Sequence, residues 1–521
     1  MVFAESDHEF EYLESMKRVF RYFTIVMISV AAVAACGHKE EIPNEEPTPS
    51  GPVIVKPSDE ISQADYFAQY ALTVYYLWNR EIANDLDRLS PDTCKAPIDV
   101  VHDIRYHQGT KEVDHWTMLT NNLGEMTSSV EGTAKSFGYD LTGMWADRDQ
   151  TALVFIVNYV SKGKPAEKAG LKRGDIIWTL NGSDITLKNY MDLFNASSVK
   201  LGVQPGISAK DLITVSMTAN EDWEDPVLLS KTFDIDGKKV GYLVYNSFDI
   251  KSMETLPDFF RKFKADGVKE LILDLRYNGG GFVITECELA SLIAPYANVA
   301  AKDVYQTEVF NSILTEAWKD DDFNTYFDTK FEYKNADYNI TQDISDANLD
   351  LKKLYVIVTN GSASASEGLI VGLKPYMDVV LIGEQTYGKY CAGYMMSPEN
   401  VFGSQSTTDY SLIKKWGIYV MVSKFADKNK NNPAMPDGIP VNIKAEDDVL
   451  DGYQFGDEEE TMLKAALTAA GKTYPKASSS SVRTRSETMV PVSKPVLKTA
   501  HPKGILIKTD LPSKTLPVVS E

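Results

Sequence analysis

The sequence predicts a multidomain α+β protein with an N-terminal helical region, a small β-rich domain and a larger α/β domain. Its 521 residues are enough for about three domains, and 43% of them are apolar. Apolar residues recur at helical spacing over residues 59–90, and short strands bounded by turn residues begin at residue 136. From about residue 231 to residue 471 strands and helices alternate, which is typical of a sheet covered by helices.

Composition and charge exclude several classes of protein. The formal net charge of −21 argues against a nucleic-acid partner. A 24% share of charged residues is ordinary for a folded domain, so the chain is not largely disordered, fibrous or a multi-span membrane protein. Four cysteines are too few for a disulfide-stapled scaffold or a zinc-ribbon array. No metal-ligand cluster or phosphate-binding loop is present, so we expect no metal and no cofactor.

The first element is a predicted targeting segment, residues 1–35. Three basic residues lie between positions 17 and 21, and an apolar stretch follows over residues 22–32. That stretch is too short to span a bilayer, which favours a signal peptide over a transmembrane helix. Residues 1–15 carry five acids and no lysine or arginine, so we expect Met16 to be the true start.

The second element is a predicted lipid anchor with a tether, residues 36–58. Residues 33–36 read Val-Ala-Ala-Cys and resemble a bacterial lipobox, whose cysteine is acylated. We therefore expect Cys36 to be lipidated and to hold the protein in the membrane of the cell envelope, as an outer-membrane lipoprotein facing the periplasm or the surface. Five prolines between residues 42 and 57 predict an extended linker.

Residues 59–135 are the predicted helical region, with Ser58 or Asp59 as a cap. Its many tyrosines and tryptophans are expected to pack in a core. The alternative is a ligand-binding stripe, as in a carbohydrate- or lipid-binding surface lipoprotein.

Residues 136–222 form the β-rich domain, and their pattern resembles a PDZ domain. The string PAEKAGLKRGDIIWTLNG over residues 165–182 carries the resemblance. PDZ domains capture an extended peptide by adding it as a strand to a sheet edge. The resemblance implies a peptide-binding loop at Phe137, Gly138 and Tyr139. The adjacent Asp140 is an unusual residue where a peptide carboxylate should dock, and the alternative is a domain that serves only as a structural lid.

Residues 223–471 are the α/β domain, and residues 472–521 are a predicted disordered basic tail. From residue 476 onward the tail has eight basic and three acidic residues, so it can lie on the acidic body. The predicted buried strands of the α/β domain cover residues 240–246, 271–275, 354–358 and 379–382, and its predicted helices cover residues 253–265, 284–293 and 367–376.

Two strings in the α/β domain carry chemistry. Residues 360–368 read NGSASASEG and lie between a strand and a helix, where exposed backbone N–H groups favour a developing oxyanion. Residues 383–389 read GEQTYGK and also follow a strand. No histidine lies between Trp116 and Ala500, but a buried lysine with a depressed pKa can replace histidine as the base. The strings therefore indicate a Ser–Lys dyad.

Together the two strings resemble those of the carboxy-terminal processing peptidases, or tail-specific proteases. In that family the nucleophile is the middle serine of the first string and the base is the lysine that ends the second, here Ser364 and Lys389. The family fold implies an α/β, crotonase-like serine peptidase domain. Residues 274–281, DLRYNGGG, resemble a third family string. It implies an oxyanion hole formed by the N–H of Ala365 and that of Gly280 or Gly281, with Gly280 favoured.

One departure concerns the lysine. Many family members have a glutamine four residues after it, but Gly393 stands there in this chain. We expect Gln385, Glu367 or a backbone carbonyl to orient the amine instead. Cys391 is a rival nucleophile, but without a nearby histidine it is expected to serve in packing.

The sequence thus predicts a lipid-anchored serine endopeptidase that cleaves unstructured or C-terminal protein segments. The resemblance implies that protein or peptide substrates with flexible C-termini are presented by the PDZ domain. The alternative is a catalytically weak or inactive peptide-binding lipoprotein of the same fold, which the departure at Gly393 supports.

Overall fold

The computed structural model describes residues 59–130, 135–335, 338–389, 391–403, 408–431, 437–475, 489–491 and 506–507. The predicted signal peptide, Cys36, the tether and most of the basic tail lie outside these residues. Within the described ranges, no helix is long and apolar enough to cross a membrane. The same ranges contain no group of three or more histidine, cysteine, aspartate or glutamate side chains placed to hold a metal ion.

The N-terminal region is built on one long helix, which Asp59 caps by accepting the Ser62 N–H at 2.9 Å. The helical spacing of the sequence continues to residue 90, but the helix ends at Val74. The chain turns there because the Leu77 N–H donates to the Met421 carbonyl of a later strand, at 2.8 Å. The elements of this region are α1 (Glu60–Val74), a 3₁₀ turn (Leu86–Leu89), α2 (Pro97–Asp103), β1 (His107–Gln108), β2 (Lys111–Glu112), β3 (Met118–Thr120) and α3 (Leu123–Val130).

The β-rich unit is an antiparallel sheet around a small core of its own. Its elements are β4 (Tyr139–Trp145), β5 (Leu153–Val160), α4 (Pro165–Lys168), β6 (Ile176–Leu180), β7 (Ser183–Asp184), α5 (Asp192–Asn195), β8 (Ser198–Gln204) and β9 (Ile213–Thr218). The strand order is β4-β5-β6-β8-β9, and β7 pairs with β6. Alternate side chains such as Phe155, Val157 and Leu201 fill the core between the sheet and the short helices.

The α/β unit contributes most of the remaining elements. They are β10 (Val227–Ile235), β11 (Lys238–Tyr245), a 3₁₀ turn (Lys251–Glu254), α6 (Leu256–Asp266), β12 (Glu270–Asp274), β13 (Gly281–Phe282), α7 (Val283–Ile293), α8 (Tyr296–Ala300), β14 (Val304–Phe310), α9 (Ser312–Ala317), β15 (Asn324–Tyr326), β16 (Lys330–Lys334), β17 (Asn339–Asp343), β18 (Lys353–Val358), α10 (Ala365–Leu373), β19 (Asp378–Gly383), β20 (Cys391–Met396), α11 (Pro398–Phe402), a 3₁₀ turn (Ser411–Ile413), β21 (Gly417–Asp427), β22 (Ile443–Lys444) and α12 (Thr461–Ala469). Two short strands follow, β23 (Val490–Pro491) and β24 (Leu506–Ile507).

The first sheet of this unit has the order β10-β11-β12-β18-β19-β22. Strands β11, β12, β18 and β19 are mutually parallel neighbours, and they cover the four buried runs of the sequence. Most of their side chains are apolar on both faces, because helices pack against each face of the sheet. Because the strands are parallel, the loops that follow β12, β18 and β19 leave the sheet at one edge.

The second sheet has the order β13-β24-β20-β21-β14-β15, and β3 of the N-terminal region pairs with β21. It therefore joins three distant parts of the chain: the helical region, the α/β unit and the C-terminal segment. Strand β20 begins two residues after Lys389, so this sheet adjoins the edge where the three loops leave the first sheet.

Candidate active site

Three loops carry the three sequence strings, and backbone hydrogen bonds join them. The Leu275 N–H donates to Ile357 O at 2.9 Å and the Ala363 N–H to Asn278 O at 3.1 Å. The Tyr387 N–H donates to Ser362 O at 3.0 Å. The parallel strands thus bring together the three strings that lie far apart in the sequence.

Ser364 stands at the sharp turn between β18 and α10. Its backbone has φ 61° and ψ −114°, a conformation that costs a non-glycine residue about 1–3 kcal/mol. The side chain is fully buried, and its Oγ has no hydrogen-bond partner among the residues that the structure describes. An unpaired buried hydroxyl on a strained turn is typical of a nucleophile that is held ready for a substrate.

Glu367, in the first turn of α10, connects the serine to the lysine. Its Oε2 accepts the backbone N–H of Ser364 at 3.0 Å and that of Lys389 at 2.7 Å. Its Oε1 accepts the Thr386 hydroxyl at 2.5 Å and the Gly388 N–H at 2.8 Å. Burial raises the pKa of this carboxyl, although the four donors act in the opposite direction. Glu367 therefore positions the lysine-bearing loop through backbone N–H groups, whereas the sequence prediction was that it orients the amine itself.

Lys389 is fully buried, and its amine faces aromatic rings. Its Nζ donates to the hydroxyl of Tyr419 at 3.3 Å and lies 4.8 Å from the ring centroid of Trp116. Burial lowers the pKa of Lys389 to about 8, although Asp114 and Glu367 act to raise it. A large share of the amine is therefore neutral in mildly alkaline solution, as a general base requires.

Tyr419 occupies the space that a side chain at residue 393 would need. A Cβ on Gly393 would lie 2.4 Å from Tyr419 Cζ and 2.4 Å from Met421 Cε, which is closer than real contacts allow. Tyr419 of the adjacent strand β21 thus fills the space of the missing glutamine. Its hydroxyl contacts the lysine amine directly. Gln385, the other predicted orienting residue, is exposed and its side-chain amide donates to the Asp437 carbonyl. That prediction is corrected, because the side chain points to the loop at residue 437 and away from the buried amine.

Gly280 lies against Ser364. A Cβ on Gly280 would be 2.7 Å from Ser364 Cβ and 3.1 Å from Ala365 N, and Gly280 has φ 113°, so only glycine fits. The Gly280 N–H, favoured as an oxyanion donor, instead donates to Asn278 Oδ1 at 2.9 Å. This corrects the preference for Gly280, and Ala365 and Gly281 stay the predicted donors.

Several residues of the site were missed at the level of sequence. Asn278 holds the glycine turn, because its side-chain amide also donates to the Tyr245 carbonyl at 3.0 Å. Two aromatic residues pack around the amine: Trp116, two residues before β3, and Tyr419 of β21. Only the departure at Gly393 could have pointed to them, since it leaves side-chain volume beside the lysine unaccounted for.

A buried ionic network joins the β-rich unit to the string of residues 274–281. Arg173 donates to Asp447 Oδ1 at 2.6 Å and to the Tyr277 hydroxyl at 2.8 Å. Arg276 donates to the same Asp447 oxygen at 2.9 Å and to Glu460 Oε1 at 2.7 Å. Burial acts to raise the pKa of Asp447, but the two guanidinium groups outweigh it and hold the pKa at about 2. These contacts attach the β-rich unit to Tyr277, two residues before the glycines of the turn.

The predicted peptide-binding loop is closely packed. Phe137 is buried, and Gly138 has φ 76° with its α-carbon against the Lys164 side chain. The Tyr139 hydroxyl donates to Leu193 O at 2.5 Å. The Lys164 amine is also occupied, since it donates to the Asp222 carbonyl at 2.7 Å.

Cys391 is fully buried with its Sγ 3.2 Å from Met421 Sδ. Burial raises the pKa of its thiol well above the ordinary value. These surroundings suit a packing residue and oppose a nucleophilic role.

Comparisons with known proteins show which family and which solved structures this chain resembles. Residues 239–445 match the family model described as Peptidase family S41. The Staphylococcus aureus (strain N315) protein named "Probable CtpA-like serine protease" is 28% identical over 258 residues, which are 48% of this chain and 45% of that protein. Carboxyl-terminal-processing peptidase 2, chloroplastic, of Arabidopsis thaliana is 24% identical over 282 residues, 50% of this chain and 46% of that protein. The chain thus spans about half the length of the curated relatives it matches.

Among solved structures, a Bacteroides fragilis protein assigned to the S41 proteases superposes with a TM-score of 0.57 at 24% identity. The match covers 78% of this chain and 96% of that one. At this level of identity the match shows that the two chains share a fold.

Proposed function

We propose that this chain is a serine endopeptidase with Ser364 as nucleophile and Lys389 as base, and the match of residues 239–445 to the model of Peptidase family S41 supports the proposal. The observation that carries the proposal is the pair of hydrogen bonds to one oxygen of Glu367. The Ser364 amide nitrogen lies 3.0 Å from that oxygen and the Lys389 amide nitrogen 2.7 Å from it, so the two backbone segments are adjacent. The Ser364 hydroxyl and the Lys389 amine, whose pKa is about 8, are both buried, and the shared carboxylate oxygen supports the proposal that they act together.

In the proposed reaction Ser364 Oγ attacks the scissile carbonyl carbon and its proton passes to Lys389 Nζ. Backbone N–H groups, that of Ala365 first, stabilise the oxyanion at the positive end of α10. Lys389 then gives the proton to the leaving amine, and the peptide C–N bond breaks. Water hydrolyses the acyl-enzyme, with Lys389 again as base.

Tyr419 is assigned as a positioning residue in this reaction. Its hydroxyl contacts Lys389 Nζ at 3.3 Å, in the place that the family glutamine would otherwise fill. This contact supports the peptidase over the alternative, an inactive peptide-binding lipoprotein, because it supplies a partner for the amine in place of the missing glutamine.

The substrates we propose are unstructured protein segments, captured by strand addition on the β4 edge of the PDZ-like unit. Anchoring through a lipidated Cys36 is proposed from the sequence pattern alone. Labelling with a radioactive fatty acid tests it: wild type should incorporate label and Cys36→Ala should not.

Hydrolysis of unstructured casein by the purified full chain tests the central proposal. We expect Ser364→Ala and Lys389→Met each to abolish cleavage. Ser411→Ala and Lys352→Met change the same residue types at exposed positions and should cleave like wild type. Equal cleavage by wild type and Ser364→Ala would overturn the proposal.

A further inference from the structure

The C-terminal segment touches both of the sites that a substrate would use. At the β-rich unit, β23 pairs antiparallel with β4, and Val490 lies opposite Trp145 and Pro491 opposite Met144. The adjacent Met489 packs against a buried cluster that includes Met144 and Leu450. Because the pairing is antiparallel, the two residues of β23 follow β4 in the direction of the loop at residues 137–139.

At the catalytic unit, β24 is inserted between two strands that border the dyad. It pairs in parallel with β13, so that Leu506 lies opposite Gly281 and Ile507 opposite Phe282. On its other side, Ile507 lies opposite Gly393 of β20. Gly281 directly follows the glycine that packs on Ser364, and β20 directly follows the Lys389 loop. β24 therefore fills the groove between β13 and β20, the two strands that follow the glycine turn and the Lys389 loop.

We propose that this groove is a strand-binding site whose resident ligand is the chain's own segment around residues 506–507, which competes with substrates. The inference rests on the proposed function and names its regulation. Three features support it: backbone pairing on both strands of the groove, a second attachment on β4, and the basic character of the segment against an acidic body.

The size of the effect follows from tethering. A flexible tether gives an effective concentration of about 1 mM, so a segment with an intrinsic dissociation constant of about 0.1 mM would lower kcat/KM by about tenfold. Substrate must displace the segment, so we expect the effect in KM more than in kcat.

The test is a full-length double variant, Leu506→Pro with Ile507→Pro, which removes the two backbone N–H groups of β24. Val518→Pro with Val519→Pro is the matched control, because it changes an aliphatic pair to proline later in the same basic tail. The β24 variant should cleave casein with a KM about tenfold lower than wild type or the control. A synthetic peptide of residues 500–512 should inhibit this variant more strongly than wild type.

Hydrogen exchange in the Ser364→Ala background separates the two proposals, because it needs no catalysis. If the segment binds, the β24 substitutions increase exchange at residues 281–282 and 391–396, and the control substitutions do not. Unchanged exchange together with unchanged KM would overturn the inference while leaving the peptidase intact. Increased exchange with no cleavage by any variant would support the inference and refute the proposed function.

Discussion

Placing the family glutamine at residue 393 should lower both the activity and the stability of this protein. Gly393 lies in β20 with Tyr419 and Met421 of β21 directly over its α-carbon, the nearest atoms 2.4 Å from where a Cβ would stand. Gly393→Gln must therefore displace the Tyr419 ring, and with it the hydroxyl that contacts Lys389 Nζ at 3.3 Å. The resemblance alone would suggest the opposite result, a gain of activity.

The magnitude has two parts. Inserting side-chain atoms into a well-packed core costs about 1–3 kcal/mol, and the upper end applies because a backbone-fixed Cβ meets two buried side chains. Losing a hydrogen bond to a group that becomes charged costs about 1.5–3 kcal/mol. In the rate this corresponds to about 10- to 100-fold, since 1.36 kcal/mol is tenfold.

A double-mutant cycle measures the effect through casein hydrolysis and urea unfolding. Gly393→Gln and Tyr419→Val should each lower kcat by about 10- to 100-fold by the same conversion. In the double variant the smaller valine leaves room for the glutamine, whose side-chain oxygen can accept from the amine. We therefore expect the double variant to exceed either single variant by about tenfold. Compared with the sum of the two single losses, this is a coupling of about 3–4 kcal/mol.

Gly124→Gln is the matched control, because Gly124 is exposed on α3 and meets only Asn122 Oδ1, at 3.9 Å. It should leave kcat and stability near wild type. A Gly393→Gln variant that is more active than wild type, or a double variant that shows the simple sum of the two losses, would refute the assignment of Tyr419. The pH profile adds a readout that a purely structural role would not move, since Tyr419→Phe should shift the midpoint of kcat.

Three further predictions follow from the buried groups. Because burial lowers the pKa of Lys389 to about 8 and the neutral amine is the base, kcat/KM should rise with pH to half its maximum near pH 8; a midpoint near that of free lysine would contradict this. Ser364→Gly should have a free energy of unfolding about 1–3 kcal/mol higher than that of Ser364→Ala, because only glycine adopts φ 61° without strain. Equal midpoints in urea would argue against a strained turn. Asp447→Asn should lower the free energy of unfolding at pH 7 by about 2–3 kcal/mol, because the pKa of Asp447 lies about two units below its ordinary value and each unit is worth about 1.36 kcal/mol. The loss stays moderate because Glu460 still contacts both arginines. Since the pKa of Asp447 falls from 3.8 to about 2 on folding, wild type should keep this contribution above pH 4 and lose it as the pH falls through 2. If Asp447→Asn and wild type unfold at the same urea concentration at pH 7, the predicted contribution of Asp447 is wrong.

The sequence by itself predicted the two candidate reacting side chains and the strands that precede them. Ser364 and Lys389 stand in short strings whose glycines and small residues serve local turns, and local turn chemistry is readable from neighbouring residues. The buried strands β11, β12, β18 and β19 were also predictable, because parallel strands covered on both faces are continuous apolar runs.

Only the tertiary structure decided what surrounds the dyad. Trp116, Tyr419 and the pairing of Ile507 with Gly393 come from distant parts of the chain that one sheet brings together. Such contacts leave no periodic trace in the sequence, because they depend on which strands become neighbours and on their register. The Gly280 N–H is a smaller example of the same cause. Its donation to the side chain of Asn278 follows from the three-dimensional path of a turn, which the string of glycines left open.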